Sequence, residues 1–284
     1  MDYTINVSGR LIDLSHPQVM GILNVTPDSF YADSRKQTEE EIAKRAEQIL
    51  EEGAAMIDVG AFSTRPGAAM LSEEEESARL HLALSVIRRN HPEAVLSIDT
   101  FRPTVAKRVV EEFGDCVIND VGGLTAGPDG ALADDPIRRE EMFRLVSSLR
   151  VPYIYMTTAA TLREVLLDFA ERVQQLRDLG QKDIILDPGF GFGKTTDQDY
   201  VLMASLEKLQ VMQLPILVGI SRKSMIWRQL GITPQEALNG TTALHAVALQ
   251  KGASILRVHD VKAAVETVKL IQTLNFRSSN GHCT

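Results

Sequence analysis

The sequence predicts a closed barrel of eight parallel strands alternating with helices, a (β/α)8 TIM barrel of the α/β class. Three observations predict it. Short apolar runs recur along the chain at intervals of roughly 20–40 residues, with amphipathic helical stretches between them. The runs are apolar on both faces, as parallel strands covered by helices must be. The 284 residues suit a fold that typically takes about 250. An open doubly wound sheet is the competing arrangement, but it would carry a Gly-x-Gly-x-x-Gly turn after its first strand, and that turn is absent.

The elements follow in order. Ile5–Leu14, with Gly9-Arg10 in its middle, reads as a hairpin within residues 1–15 that closes the bottom of the barrel. The eight strands read Val19–Leu23, Ala55–Val59, Val95–Ile98, Cys116–Ile118, Tyr153–Met156, Ile184–Leu186, Ile216–Val218 and Ile255–Val258. Glu39–Glu52 is a helix stopped by Gly53. Ser72-Glu73-Glu74-Glu75 forms a capping box that opens a helix to about Asn90. Arg102-Pro103 starts the next, with proline in the favoured first turn. Gly122–Asp135 reads as loop and Arg138–Leu149 as the helix after it; Leu162–Leu179 ends at Gly180. A further helix begins at about Met225, Thr241–Lys251 ends at Gly252, and Val261–Leu274 closes the series before a frayed tail over 275–284. With no Pro/Gly-rich linker in sight, residues 1–284 read as one domain.

Composition narrows the function classes. The formal net charge of −8 argues against broad nucleic-acid binding, which needs a surplus of Lys and Arg. A small anion remains open to a local cluster of cations. The two cysteines, Cys116 and Cys283, make neither a disulfide framework nor a zinc site and fit a reducing cytosol. Met1-Asp2-Tyr3-Thr4 lacks the pattern of a secretory leader, and no apolar run reaches membrane-spanning length. A cytoplasmic location, with no membrane partner, is the expectation.

Chemistry should sit at the strands' C-terminal ends, which a barrel gathers at one mouth. Those ends carry Asn24, Asp58 with Gly60, Asp99, Asn119 with Asp120, Met156, Asp187, Gly219 with Ser221, and Arg257 with His259. One Asp or Asn there is ordinarily a turn or cap residue. So many polar groups converging on one rim require a ligand or a shared network. Asn24-Val25-Thr26-Pro27-Asp28-Ser29-Phe30 ends the first barrel strand in turn residues, and Ser63-Thr64-Arg65-Pro66-Gly67 follows the second. Ser221-Arg222-Lys223-Ser224 puts cations at a helix start, a pattern that reads as an anion site. Arg257 and His259 lie on the same side of an extended segment, and a guanidinium fork suits phosphate.

Asp187-Pro188-Gly189-Phe190-Gly191-Phe192-Gly193-Lys194 is glycine-rich but lacks the spacing of a Walker loop. Its glycines let the loop lie against something flat, with Phe190 or Phe192 on a ring. Asp99, Asn119 and Asp187 are the hydrogen-bonding types that suit the edge of a nitrogen heterocycle.

Taken together and in this order, these motifs resemble dihydropteroate synthase, a pterin-binding barrel family, from Asn24 to Asp260. The carrying segments also include Ile98-Asp99-Thr100, Ile118-Asn119-Asp120 and Arg257-Val258-His259-Asp260. The resemblance implies a transferase that joins 4-aminobenzoate to 7,8-dihydropterin-6-ylmethyl diphosphate and releases diphosphate, in folate synthesis, by an SN1-like substitution. It implies a pterin held by Asp99, Asn119, Asp187, Phe192, Gly219 and Lys223. Diphosphate would fall to Asn24, Arg257 and His259, with Asn24 also ligating Mg2+. Aminobenzoate would meet Phe30, Thr64, Arg65, Pro66, Phe192 and Ser224. Asp33, Asp187, Lys223, Arg257 and His259 would carry the chemistry. A homodimer and competition by sulfonamides are implied as well.

The sequence departs from the family pattern in three places. Tyr155-Met156-Thr157-Thr158-Ala159-Ala160 lacks a usual His, Gly60-Ala61-Phe62 stands where Gly-Gly-Glu is usual, and Tyr31-Ala32-Asp33-Ser34 is one residue longer than the usual Ser-Asp-Gly. None removes a pterin or diphosphate ligand. The alternatives are a pterin-binding methyltransferase domain, which would not need Ser63–Gly67 or Ser221–Lys223, and a non-catalytic homologue. The latter's signature would be loss of Asn24, Arg65, Lys223 or His259, and all four are present.

Overall fold

The structure, a computed structural model, describes residues 3–25, 35–61, 71–120, 124–126 and 132–279. Phe30, Asp33, Thr64, Arg65 and Pro66 lie outside the described residues. The hairpin forms first: β1 (Thr4–Val7) pairs antiparallel with β2 (Arg10–Asp13). Ser8 and Gly9 both turn with positive φ (52° and 78°), the two-residue turn whose twist matches its strands.

Eight parallel strands follow: β3 (Gln18–Asn24), β4 (Met56–Gly60), β5 (Leu96–Asp99), β6 (Val117–Asp120), β9 (Tyr153–Met156), β10 (Ile184–Asp187), β11 (Leu217–Val218) and β12 (Ile255–Val258). Their order is β10-β9-β6-β5-β4-β3-β12-β11, and a parallel bridge between Leu186 and Ile216 joins the two ends into a barrel. Helices cover the outside: α1 (Arg35–Glu51), α2 (Glu73–Asn90), α3 (Pro103–Phe113), α4 (Pro136–Leu149), α5 (Leu162–Asp178), α6 (Thr196–Ala204), α7 (Ser224–Leu230), α8 (Leu238–Gln250) and α9 (Val261–Ser279).

The differences from the sequence reading have physical causes. Five of the barrel strands, β3, β4, β5, β6 and β10, run past the last apolar residue to Asn24, Gly60, Asp99, Asp120 and Asp187. The backbone ladder does not stop where side chains turn polar. Gly122–Asp135 is not wholly loop: β7 (Leu124–Ala126) and β8 (Leu132–Asp134) pair antiparallel within it. α6 was not expected, although Thr195 and Gln198 form its capping box. α4 starts earlier than Arg138, at Pro136, behind the cap Asp135, and α8 starts at Leu238 rather than Thr241. α9 continues past Leu274 to Ser279, so the tail begins later than expected.

The interior has two storeys. The lower one is apolar: Met20, Met56, Val95, Val117, Ile154, Ile185, Leu217 and Ile255 pack with Ile5, Val7, Ile12 and Leu14 of the hairpin, which plugs the bottom. Side chains alternate along a strand, so the next inward positions are two residues on. They are Ile22, Asp58, Ser97, Asn119, Met156, Asp187, Gly219 and Arg257. The larger core lies between sheet and helices and includes Cys116. Its packing is close: a Cβ on Gly21 would come within 2.5 Å of the Ile49 side chain.

Candidate functional site

The upper storey is one connected polar network. Asp58 on β4 is 0% exposed. It accepts from Ser97 Oγ at 2.6 Å, from Asn119 Nδ2 at 3.2 and 3.3 Å and from Arg257 Nε at 2.6 Å. Arg257 on β12 also donates through a terminal nitrogen to Asp99 Oδ2 at 2.6 Å. Burial works against the Arg257 charge, but Asp58 and Asp99 overcome it and hold the guanidinium above the usual arginine range. Asp99 reaches toward the mouth and its side chain is 23% exposed. Burial pushes its carboxyl up to about 7, against the pull of Arg257 and with further push from Asp58, Glu76 and Asp120. Asn119 spends its amide N–H groups on Asp58, so its carbonyl oxygen is the end left for a ligand.

Across the barrel, Asp187 ends β10 and is 8% exposed. Its Oδ1 accepts from Gly189 N at 2.7 Å. Burial raises its carboxyl above the usual range, against Lys223, the Gly189 N–H and Arg257. The turn after it is tight: Gly189 has φ +66°, and a Cβ there would lie 2.1 Å from the Thr157 carbonyl oxygen. Lys194 fastens this turn by donating to Gly189 O at 3.0 Å, Phe192 O at 3.2 Å and Thr157 O at 3.4 Å. Asp199 on α6 accepts from Gly191 N at 2.9 Å.

Lys223 enters the barrel from the cap position of α7. Its Nζ donates to Phe190 O and lies 4.5 Å from the centre of the Phe192 ring. Burial lowers this amine to about 8, against the pull of Asp187. Of the two aromatic candidates, Phe190 is fully buried in the outer core, so only Phe192 remains beside the mouth. Of the two cations in the Ser221–Ser224 segment, Lys223 turns into the barrel and Arg222 does not. Arg222 is locked in a two-pronged pair with Asp260 at 2.8 and 2.9 Å and donates also to the carbonyls of Pro234 and Gln235.

The rim holds Asn24, Ser224 and His259. A Cβ on Gly60 would lie 3.4 Å from Asn24 Oδ1 and 3.5 Å from Asp99 Oδ2, so this bare strand end lets the two polar side chains approach. His259 Nδ1 pairs with Ser221 Oγ at 3.1 Å, and its carbonyl accepts from Arg45 at 2.7 Å. Ser224 is the first residue of α7 and half-buried, and Gly219 lies beside Arg257. The described residues thus bring Asp99, Asn119, Asp187, Phe192, Lys223 and Arg257 into one barrel mouth. Sequence reasoning noted Asp58 at a strand end but gave it no role, and passed over Ser97 and Lys194. The two-residue step from the apolar Met56 and Val95 was the signal for the first two.

Among the described residues, the mouth offers a divalent cation few donors. Among the described residues there is no group of three His, Cys, Asp or Glu side chains placed to hold a metal. Asn24 offers a single hard oxygen donor. That suits Mg2+, which keeps several waters and is held largely by substrate phosphates, and does not suit a metal caged by protein alone.

Known proteins resemble the chain over nearly its whole length. Residues 20–259 match the family described as pterin binding enzyme. The chain is 37% identical over 270 residues to the dihydropteroate synthase of Escherichia coli (strain K12), covering 93% of this chain and 94% of that one. It is 35% identical over 266 residues to the Bacillus subtilis (strain 168) enzyme of the same name, covering 90% and 88%. Among solved structures, it is similar to the Xanthomonas albilineans dihydropteroate synthase with 4-aminobenzoic acid, with a TM-score of 0.83, 34% identity and coverage of 97% and 99%. The same enzyme in complex with 7,8-dihydropteroate gives a TM-score of 0.80 at 33% identity, covering 96% and 99%.

Proposed function

The chain belongs to the pterin-binding enzyme family, among its dihydropteroate synthases, transferases of folate biosynthesis, and we propose how its residues perform that reaction. The substrates are 7,8-dihydropterin-6-ylmethyl diphosphate and 4-aminobenzoate, and diphosphate leaves as dihydropteroate forms. The observation that carries this reading is the pairing of Asp99, Asn119 and Asp187 as acceptors with Lys223 and Arg257 as cations inside one barrel mouth.

A pterin presents ring N–H and amino donors to carboxylates and carbonyl and ring-nitrogen acceptors to cations. Asp187 and Asp99 take the donors, Asn119 Oδ1 a further one, and Lys223 Nζ faces the acceptors. Gly219 and Phe192 line the ring's faces. Arg257, His259 and Asn24 lie toward the rim, where a diphosphate on the 6-methylene would project. Ser224, with Phe192, meets the aminobenzoate; Phe30, Thr64, Arg65 and Pro66 complete that side in this reading.

The aromatic amine is a weak nucleophile, so the barrier falls chiefly by helping diphosphate depart. Bound Mg2+, with Asn24 among its ligands, would supply Lewis-acid neutralisation of the leaving oxygens. Arg257 and His259 donate to those oxygens as charge builds on them. Asp187, beneath the ring, stabilises the positive charge left on the pterin, and Asp33 is the second candidate for that task. The walls of the barrel keep water from the cationic carbon until the amine attacks. The reading extends to a homodimer in the cytosol, supported by the family likeness. No helix of the described residues is long and apolar enough to cross a membrane.

The test is direct. Purified protein with Mg2+ and the pterin diphosphate should release diphosphate and yield dihydropteroate once 4-aminobenzoate is added. No product at any Mg2+ concentration overturns the reading.

A further inference from the structure

We propose that Asp58 is a positioning residue that anchors Arg257 through Nε, so that the guanidinium can yield Asp99 to an incoming pterin without leaving the barrel. This rests on the pterin-binding reading above. Arg257 spans two carboxylates at equal distance, 2.6 Å each, but the two are not equivalent. Asp58 is 0% exposed and has no route to a ligand. Its hydrogen-bond partners, Ser97, Asn119 and Arg257, all belong to the same network. Asp99 stands at the end of β5 with part of its carboxylate open to the mouth.

A fork of pterin donors on Asp99 takes both carboxylate oxygens, and Oδ2 is the one the guanidinium now holds at 2.6 Å. Exchange must therefore occur at Asp99, the open end, while Asp58 keeps Nε. The terminal nitrogen that leaves Asp99 then becomes available to the diphosphate at the rim. Asp58 sets a second group as well: by taking the Asn119 N–H atoms it fixes the carboxamide with oxygen outward. Ser97 also holds Asp58, donating to its Oδ1 at 2.6 Å.

A double-mutant cycle tests this, using Asp58→Asn, Arg257→Gln and both together. Turnover is read with each substrate varied, and binding with pterin-6-carboxylate as a fluorescent probe. Asp58→Asn should lower kcat/KM for the pterin diphosphate on the order of 100-fold, with the KM for aminobenzoate within about twofold. The double variant should lose at least about tenfold less than the product of the two single losses, because Asp58 acts chiefly through Arg257. Multiplying effects, equal losses for both substrates, or wild-type behaviour of Asp58→Asn overturn the proposal. Should Asp58→Asn not fold, Ser97→Ala carries the test: a loss of about tenfold confined to the pterin substrate supports the proposal, and no loss or an equal loss overturns it. If the wild type makes no dihydropteroate, the functional reading fails, and the cycle is still read in probe binding.

Discussion

The lower and upper storeys of the barrel are built by the same strands, two residues apart, and obey opposite rules. Below, Met20, Met56, Val95 and Val117 fill space against the hairpin. Above, Ile22, Asp58, Ser97 and Asn119 stand in the corresponding positions, and three of the four are polar and share hydrogen bonds. The lower storey supplies burial, worth roughly 25 cal/mol per Å² of apolar surface. The upper storey gives up that burial and holds charged groups whose desolvation is unfavourable, as the displaced protonation of Asp99, Asp187 and Lys223 records. On the proposed reading, stability and function are separated along the barrel axis, and variants should respect the division.

The largest effect on folding should come from below. Met56→Ala leaves a cavity in a fully buried layer and should cost about 2–5 kcal/mol in denaturant unfolding, with both Michaelis constants within about twofold of wild type.

A buried polar group without a partner, outside the mouth, sharpens the contrast. His245 on α8 is buried, its Nε2 has no hydrogen-bond partner, and burial lowers its pKa to about 4. Protons therefore bind the unfolded chain first as pH falls. The contribution is complete above the ordinary histidine value of about 6.5 and is lost as pH drops through 4, a difference of about 3 kcal/mol. The stability difference between wild type and His245→Gln, measured by denaturant unfolding, should change by that amount across this range.

In the mouth the order reverses. Lys223→Ala should lower kcat/KM for the pterin diphosphate about 100-fold, since it removes a charged donor from the pocket. Its thermal midpoint should not fall, because a desolvated amine lowered to about 8 is itself unfavourable in the fold. Thr64→Ala should instead act mainly on aminobenzoate use, read as the KM of that substrate.

The smallest effect is one of pH. Asp99 must be ionised to accept pterin donors, and its carboxyl is pushed up to about 7. Pterin affinity should decline about tenfold per unit as pH falls below that value.

The strands were legible because their apolar runs are continuous, and the capped helices because Ser72 and Pro103 mark their starts. What the residues hid was where polarity is structural. Reading each strand to its last apolar residue left Asp99 and Asp187 just outside the strands, although both were named as candidate site residues. Arg222 and Lys223 are neighbours of one charge, yet one closes an ion pair with Asp260 and the other enters the barrel. That division depends on the positive φ of Arg222, 55°, and on a partner 38 residues away, neither of which local composition encodes. Asp58 was visible at a strand end but silent, because only the closed barrel brings Arg257, 199 residues distant, against it.

The central claim is that the upper storey is the pterin site and the lower one is not. Equilibrium titration with pterin-6-carboxylate tests it across wild type, Met56→Ala and Lys223→Ala. The account predicts one site per chain with the same affinity in wild type and Met56→Ala, and a loss of about 100-fold in Lys223→Ala. Equal affinity in wild type and Lys223→Ala, or no binding to the folded wild type, would contradict it.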